Sequence, residues 1–461
     1  MNKSELMAFV KSDSIKNFVK ASEVKTVEDI NRLNGEGYQI GYTFDEFCRR
    51  YPKIDAGKIV YNNGLNPTYY YDEDKLILFP LHILGKQELN INGGLENEYA
   101  KNLEYISECQ SNADYISQLM ILSDKMRMEM LDMIIQKDVC EDSYKLFKAF
   151  YQTSDYGCGE LSEESLQKLV LSKTKEQKQE TEDALSEFPD TITIYRGEGD
   201  KSTPLDETIS WTTDINQANF FASRMIGKNA KIHIAQVDKK DVIEYFEYEH
   251  ECIVLPQNVQ YQNQIILHGT DFFENKIPYV LERYQKYRDI AEDWLDFDID
   301  DNEHGRLHTY RVLMNSLLIA ETREMTEIEK DILSIAAIFH DTKRSNNEED
   351  TIHGKVSAEY YREFAESYPE IVPYVKTCEQ LIEYHSLPDE YGRGALSNAD
   401  MELYNVFKDA DALDRVRFGI TALDLNQLRC NESKSMTMVS NILLEAIKEP
   451  EQEPEQGMEM I

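Results

Sequence analysis

The chain has 461 residues, 41% of them hydrophobic and 29% charged, a balance that allows two or three soluble domains, each burying its own core. Its formal net charge of -37 excludes a non-specific nucleic-acid binder, which needs a basic excess to neutralise phosphates. That charge favours solubility and leaves room for a cationic partner such as an arginine-bearing protein surface. Seven scattered cysteines exclude a disulfide framework or zinc-finger spacing. The opening MNKSELMAFVKSD lacks the apolar core of a secretory signal, and LILFPLHIL (76–84) is too short to span a bilayer. A cytoplasmic protein with no membrane partner is expected.

Residues 1–95 mix helical patches with the extended stretch PTYYYDEDKLILFP and carry no motif with chemistry attached. From 96 to about 150 the pattern turns helical, and the methionines of ISQLMILSDKMRMEMLDMIIQ read as core packing. After EFPD the period shortens to strands: TITIYRG, ETISWTTD, AKIHIAQVD, ECIVLP and QIILHG, broken by turn residues. Helical periodicity then runs from about Lys276 almost to the end, where EPEQEPEQGMEMI is acidic and low in complexity. The expected architecture is an α+β multidomain protein. It has a mixed α/β N-terminal region (1–95), a domain at 96–273 with a helical lead-in (96–160) and a strand core (160–273), an all-α bundle (276–447) and a disordered tail (448–461).

In the strand region, Arg196 stands where TITIYRG gives way to a glycine turn, able to reach a phosphate or carboxylate. Ser210 opens SWTTD, after which Asp214 or Thr213 can cap a helix with Ala218, Phe221, Ala222 and Met225 as its inward stripe. In EYEHECIVLP, alternation along a continuous strand puts Glu249, Glu251 and Ile253 on one face. Two carboxylates entering an apolar strand need a cationic counterpart, because unpaired charge is expensive there.

This order, carried by YRG, SWTTD…ANFFASR and EHECIVLP, resembles the arginine-serine-glutamate class of mono-ADP-ribosyltransferases over residues 160–269. The resemblance implies a split β-sandwich that uses NAD as substrate. Glu251 would stabilise the oxocarbenium-like transition state at the ribose, Arg196 would grip the dinucleotide, and Ser210 would orient Glu251. Glu249 would bind and deprotonate an acceptor such as an arginine guanidinium, and Trp211 or Phe220 would stack on the nicotinamide. Where many members carry Ser-Thr-Ser this chain has Ser-Trp-Thr, which leaves the role of the third hydroxyl, at Thr212, open. The acceptor is a protein or a small molecule.

Five of the nine histidines fall between His304 and His385, inside the helical third. His308 lies at the start of HTYRVLMNSLLIAE; His340-Asp341 closes a helix opened by the capping box Thr326-x-x-Glu329; His353 begins a third helix, His385 ends a fourth, and Asp411 sits within a fifth. One inward histidine is ordinarily a satisfied core group, but five helices each delivering imidazole or carboxylate suit a metal with nitrogen and oxygen ligands. The set His308, His340, Asp341, His353, His385 and Asp411 resembles the HD-domain superfamily over residues 276–450.

The six-ligand pattern implies a dinuclear centre of divalent transition metal (Mn, Fe, Zn, Ni or Co). Asp341 would be shared, and Arg306, Lys343 and Arg344 would neutralise the oxygens of a phosphoester such as a nucleotide. The same six ligands also serve di-iron oxygenases. The leading expectation is therefore a bifunctional enzyme of toxin, effector or defence type, its halves tethered by a short connection at 272–278. The alternative is an HD phosphohydrolase or oxygenase with a non-catalytic transferase-like recognition module.

Overall fold

The computed structural model describes residues 1–11, 18–20, 22, 44–61, 68–81, 94–138, 140–154, 161–224, 230–299, 304–348 and 350–448. Met225 and residues 449–461, which include nearly all of the expected disordered tail, lie outside the described residues. The chain divides into two compact units, Met1–Ser186 with Leu205–Ile209 and Glu187–Pro204 with Ser210–Ile461. The expected boundaries at 95/96 and 273/276 fall inside these units.

The first unit contains the helices α1 (Lys3–Val10), α2 (Phe44–Arg50), α3 (Leu95–Ser111), α4 (Tyr115–Leu119), α5 (Asp124–Gln136), α6 (Ser143–Tyr151), α7 (Glu163–Ser172) and α8 (Lys175–Ala184). An antiparallel sheet orders β1 (Val19–Lys20), β2 (Ile59–Tyr61), β3 (Thr68–Asp72) and β4 (Ile77–Pro80) in sequence. PTYYYDEDKLILFP supplies β3, β4 and the turn between them, and Tyr70 and Phe79, ring centroids 5.1 Å apart, pack with Tyr99 of α3. The methionine-rich α5 buries Met126, Met128 and Met130.

In the second unit six antiparallel strands, β5 (Thr191–Glu198), β6 (Ser210–Thr212), β7 (Lys231–Asp238), β8 (Val242–Phe246), β9 (Glu251–Val254) and β10 (Gln260–Ile266), form one sheet in the order β10-β7-β5-β6-β9-β8. Two well-paired three-stranded halves meet at a narrow seam, where β5 and β6 share the single register pair Tyr195↔Thr212. Helix α9 (Ile215–Ser223), capped by Asp214 on the backbone of Asn216, lies on β5. Its approach demands glycine at 197, where a Cβ would stand 2.0 Å from the Ala218 carbonyl oxygen.

The helical bundle follows: α10 (Thr270–Trp294), α11 (Arg306–Thr322), α12 (Glu327–Phe339), α13 (His353–Ser367), α14 (Lys376–Tyr384), α15 (Asp389–Ala395), α16 (Met401–Leu413), α17 (Asn431–Lys434) and α18 (Thr437–Ala446). Short 3-10 segments at Asp414–Phe418, Ile420–Ala422 and Leu425–Gln427 link α16 to α17. The expected connection at 272–278 is instead the first two turns of α10, which starts four residues after β10 ends. Nor does the core stop there. Ala218, Ala222 and Ile232 of the sheet layer join Leu317, Phe339, Tyr361 and Phe407 of the bundle in one continuous apolar cluster. The side chain of Asn216 adds a polar clasp, donating to Asp424 at 2.8 Å and accepting from the Leu425 amide at 2.7 Å. Among the described residues no helix is long and apolar enough to cross a membrane.

Candidate functional site

Helix α11 is buried on every side from His308 to Ala320, so its rotation is fixed by packing and His308 is delivered to the bundle interior. His340 and His385 use a shared device. Each is the C-cap of its helix, α12 and α14, and each donates from Nδ1 to the carbonyl three residues back, Ala337 at 2.8 Å and Ile382 at 2.7 Å. No amide among the described residues donates to those end-of-helix carbonyls, so the imidazoles satisfy them and turn Nε2 inward. His353 opens α13, and Gly354 lets that helix approach α14, since a Cβ there would meet the Glu383 carbonyl oxygen at 2.8 Å.

The result is two histidine pairs with one carboxylate between them. His308 and His340 bring their Nε2 atoms to 3.2 Å, and His353 and His385 to 3.0 Å. Asp341 presents Oδ2 to the first pair, at 3.6 and 3.8 Å, and Oδ1 to the second, at 3.1 and 3.3 Å. Asp411 Oδ1 approaches His308 Nε2 at 3.4 Å and His340 Nε2 at 4.0 Å. Behind His308, Asp414 accepts from Nδ1 at 2.7 Å and is itself held by Arg311 Nε at 2.6 Å and Arg417 Nη1 at 3.3 Å.

The electrostatics suit a cation. Burial pushes the His340 imidazole down to about 4, which leaves it neutral. Burial also bears most strongly on His308, but Asp411 and Asp414 outweigh it and raise its pKa. Burial works to raise Asp341 and Asp411, yet the surrounding imidazoles hold both carboxyls below the usual range. The buried Asp341 Oδ1 makes no hydrogen bond among the described residues. Nitrogen and oxygen donors converge here, with His308, His340 and Asp411, and likewise His340, Asp341 and His385, close enough to share one ion.

His308, Asp341, His353, His385 and Asp411 line a cleft of about 580 Å³, roomy enough for a nucleotide-sized ligand. The structure places the expected phosphate cations differently from the sequence reading. Arg306 lies over the Phe297 ring and donates to the Leu295 carbonyl, and Lys343 binds Asp296 and Asp298; neither lines the cleft. Arg344 does line it, with its guanidinium engaged by the carbonyls of Asn346 and Glu348. The other cleft cations, Lys408, Arg415, Arg417 and Arg429, were not singled out from sequence. Asp414, which flanks Asp411 in the sequence, follows it at a spacing of three that puts both on one helix face.

At the sheet seam, Arg196 Nη1 donates to the Ser210 carbonyl at 2.9 Å, and Ser210 Oγ donates to Glu251 Oε1 at 2.5 Å. Glu249 is a correction to the strand alternation. Glu247–Glu249 is a 3-10 turn and His250 adopts φ 52°, so β9 begins only at Glu251. That turn is tied down by Thr212 Oγ1, which donates to the Glu249 carbonyl at 3.1 Å and accepts from the Asp214 amide at 3.1 Å. Thr212 thus acts on the backbone of the turn. Trp211 is only 3% exposed, inside the sheet core and away from any stacking surface. Phe220, half-buried, packs edge-on against Phe221.

Residues 307–416 match the family model of the HD domain, and that span contains all six residues of the paired-histidine centre. No curated protein and no solved structure matches the chain.

Proposed function

We propose that the second unit is a metal-dependent phosphohydrolase acting on a phosphoester such as a nucleotide. The observation that carries this reading is Asp341, one carboxylate facing two histidine pairs in a cation-lined cleft; the HD-domain match supports it. His308, His340, Asp341 and Asp411 would hold one divalent transition ion, and Asp341, His353 and His385 a second. Such a pair supplies Lewis-acid polarisation of a phosphoryl oxygen and a water acidic enough to attack at neutral pH. The protein's own part is orientation: Asp414 fixes the His308 ring, the Ala337 and Ile382 carbonyls fix His340 and His385, and Arg417 offers a donor to phosphate. The test is phosphate release from a panel of phosphoesters by the chain loaded in turn with Mn, Fe, Zn, Ni and Co. Release that Asp341→Asn abolishes is expected. Oxygen uptake by the iron form without phosphate release would replace hydrolysis by oxygenase chemistry.

A second reading, ADP-ribosyl transfer from NAD, draws support from the seam, where Arg196, Ser210 and Glu251 form one hydrogen-bonded chain. In it Glu251 stabilises positive charge on the ribose, Ser210 orients Glu251, and Arg196 binds the dinucleotide. Glu249, on an exposed turn, handles an acceptor, an arginine-bearing protein or a small molecule. Incubation with labelled NAD decides this. Label on an acceptor, or free nicotinamide, should appear with the wild-type chain and vanish with Glu251→Gln.

A further inference from the structure

The cleft is lined by polar, charged and histidine side chains together with Ala412, Leu423 and Phe418, and of these three Phe418 alone is a large exposed ring. Phe418 lines it and is 47% exposed, a large aromatic ring beside the cleft's arginines. Two features hold it there. Its carbonyl side leads into Gly419, whose φ of 110° turns the chain in a way an L side chain resists, and the 3-10 segment ends at that turn. The neighbouring Arg417 guanidinium lies 4.2 Å from the ring centroid, a cation–π contact that braces it. Arg417 is itself 10% exposed, and its buried Nε has no hydrogen-bond partner among the described residues. A buried donor without an acceptor is costly in a closed protein and becomes an anchor once an anion enters the cleft. From Phe418 toward the histidine centre stands His304, its ring 6.4 Å from Phe418 and 5.9 Å from His308, fixed by a 2.8 Å hydrogen bond to Asn347.

We propose that Arg417 and Phe418 form a reading head for a nucleoside phosphate, Arg417 receiving a phosphate oxygen and Phe418 serving as the shelf on which the base stacks. The inference rests on the phosphohydrolase reading for the presence of a phosphate in the cleft and adds the specificity residue. Stacking on an aromatic ring is tolerant of base identity, so the head distinguishes nucleotides from sugar phosphates and not one base from another. The phosphate end would point to the histidine centre through Arg417, which shares Asp414 with His308.

Binding, measured by calorimetry on the full chain loaded with a divalent metal, is read separately from turnover. The probes are the four common ribonucleoside 5′-monophosphates and ribose 5-phosphate, which carries the same phosphate and sugar without a base. The wild-type chain should bind the nucleotides about tenfold tighter than ribose 5-phosphate, the size expected for one base stacked on one ring. Phe418→Ala should erase that gap and leave ribose 5-phosphate unchanged, and Phe418→Trp should restore it. Gly419→Ala, which disturbs the turn and leaves the ring in place chemically, should narrow the gap as well. Equal affinity of the wild-type chain for the two classes, no binding of either, or equal weakening of both in Phe418→Ala overturns the proposal. Phosphate release in the same samples separates the two readings. Base-dependent binding without release keeps the reading head and retires hydrolysis; release without base dependence does the reverse.

Discussion

The histidine centre and the sheet seam hold their polar groups in opposite ways. In the bundle, His308, His340 and His385 are each fixed at Nδ1 by a carboxylate or a helix-end carbonyl, and all six residues of the centre hang from helices rooted in one core. At the seam, Ser210 and Glu251 meet across short strands, with Glu251 paired to Thr212 and Phe246 and entered through a turn with one left-handed residue, His250. The bundle site is over-determined, so loss of one support shifts one ring. The seam between β5 and β6 rests on one register pair, so Arg196 and Ser210 are held to each other by fewer contacts than the histidine rings are.

The largest effect should come from Asp341, because it serves both histidine pairs. Asp341→Asn should lose both ions, read by elemental analysis of the purified chain, whereas Asp411→Asn, which touches only the first pair, should keep the second. Equal metal content in the two variants would remove Asp341 from its bridging place. Next comes Asp414→Asn, which spares every metal-facing atom but frees the His308 ring. Metal affinity should fall by roughly 10–100-fold, with stoichiometry retained at saturating metal.

Gly197→Ala tests the seam side of the comparison. Its Cβ would press on the backbone of α9, and a loss of about 1–3 kcal/mol in stability is expected, visible in thermal unfolding. Because sheet and bundle share a core, both should unfold in the same transition.

The smallest effect is electrostatic. Asp389 is worked upward by burial, but hydrogen bonds from Arg429 and Lys408 win and hold it at about 2. A folded-state value below that of the unfolded chain means stability present above about pH 4 and lost as the pH falls toward 2. The stability difference between wild type and Asp389→Asn should therefore shrink across that window and stay flat above it. A difference that widened on acidification would reverse the assigned sign.

Why the bundle was legible and the seam only partly so follows from the same contrast. His340 with Asp341, His353 and His385 stand at helix ends, where capping residues and the switch from apolar periodicity mark position in the sequence itself, as with the box at Thr326 and Glu329. Arg196, Ser210 and Glu251 could be placed by strand edges, but the alternation that carried Glu249 along with Glu251 failed at His250. One residue at positive φ cancels a period of two, and nothing in EYEHECIVLP announces it. Arg306 and Lys343 failed for a different reason. Their nearest neighbours in sequence belong to the histidine centre, but long side chains reach outward to Leu295, Asp296 and Asp298, partners that only the tertiary fold brings near.

The shared core of sheet and bundle has a practical side. A fragment cut at residue 276 to isolate the histidine bundle would strip Ala218, Ala222 and Ile232 from their places and tear the Asn216 clasp from the wall of the cleft. What looks in the sequence like two interchangeable modules is, in its apolar interior, a single inheritance. Recombination or truncation at that joint would carry an exposed hydrophobic scar on each piece, and the smallest portion worth expressing begins ahead of β5.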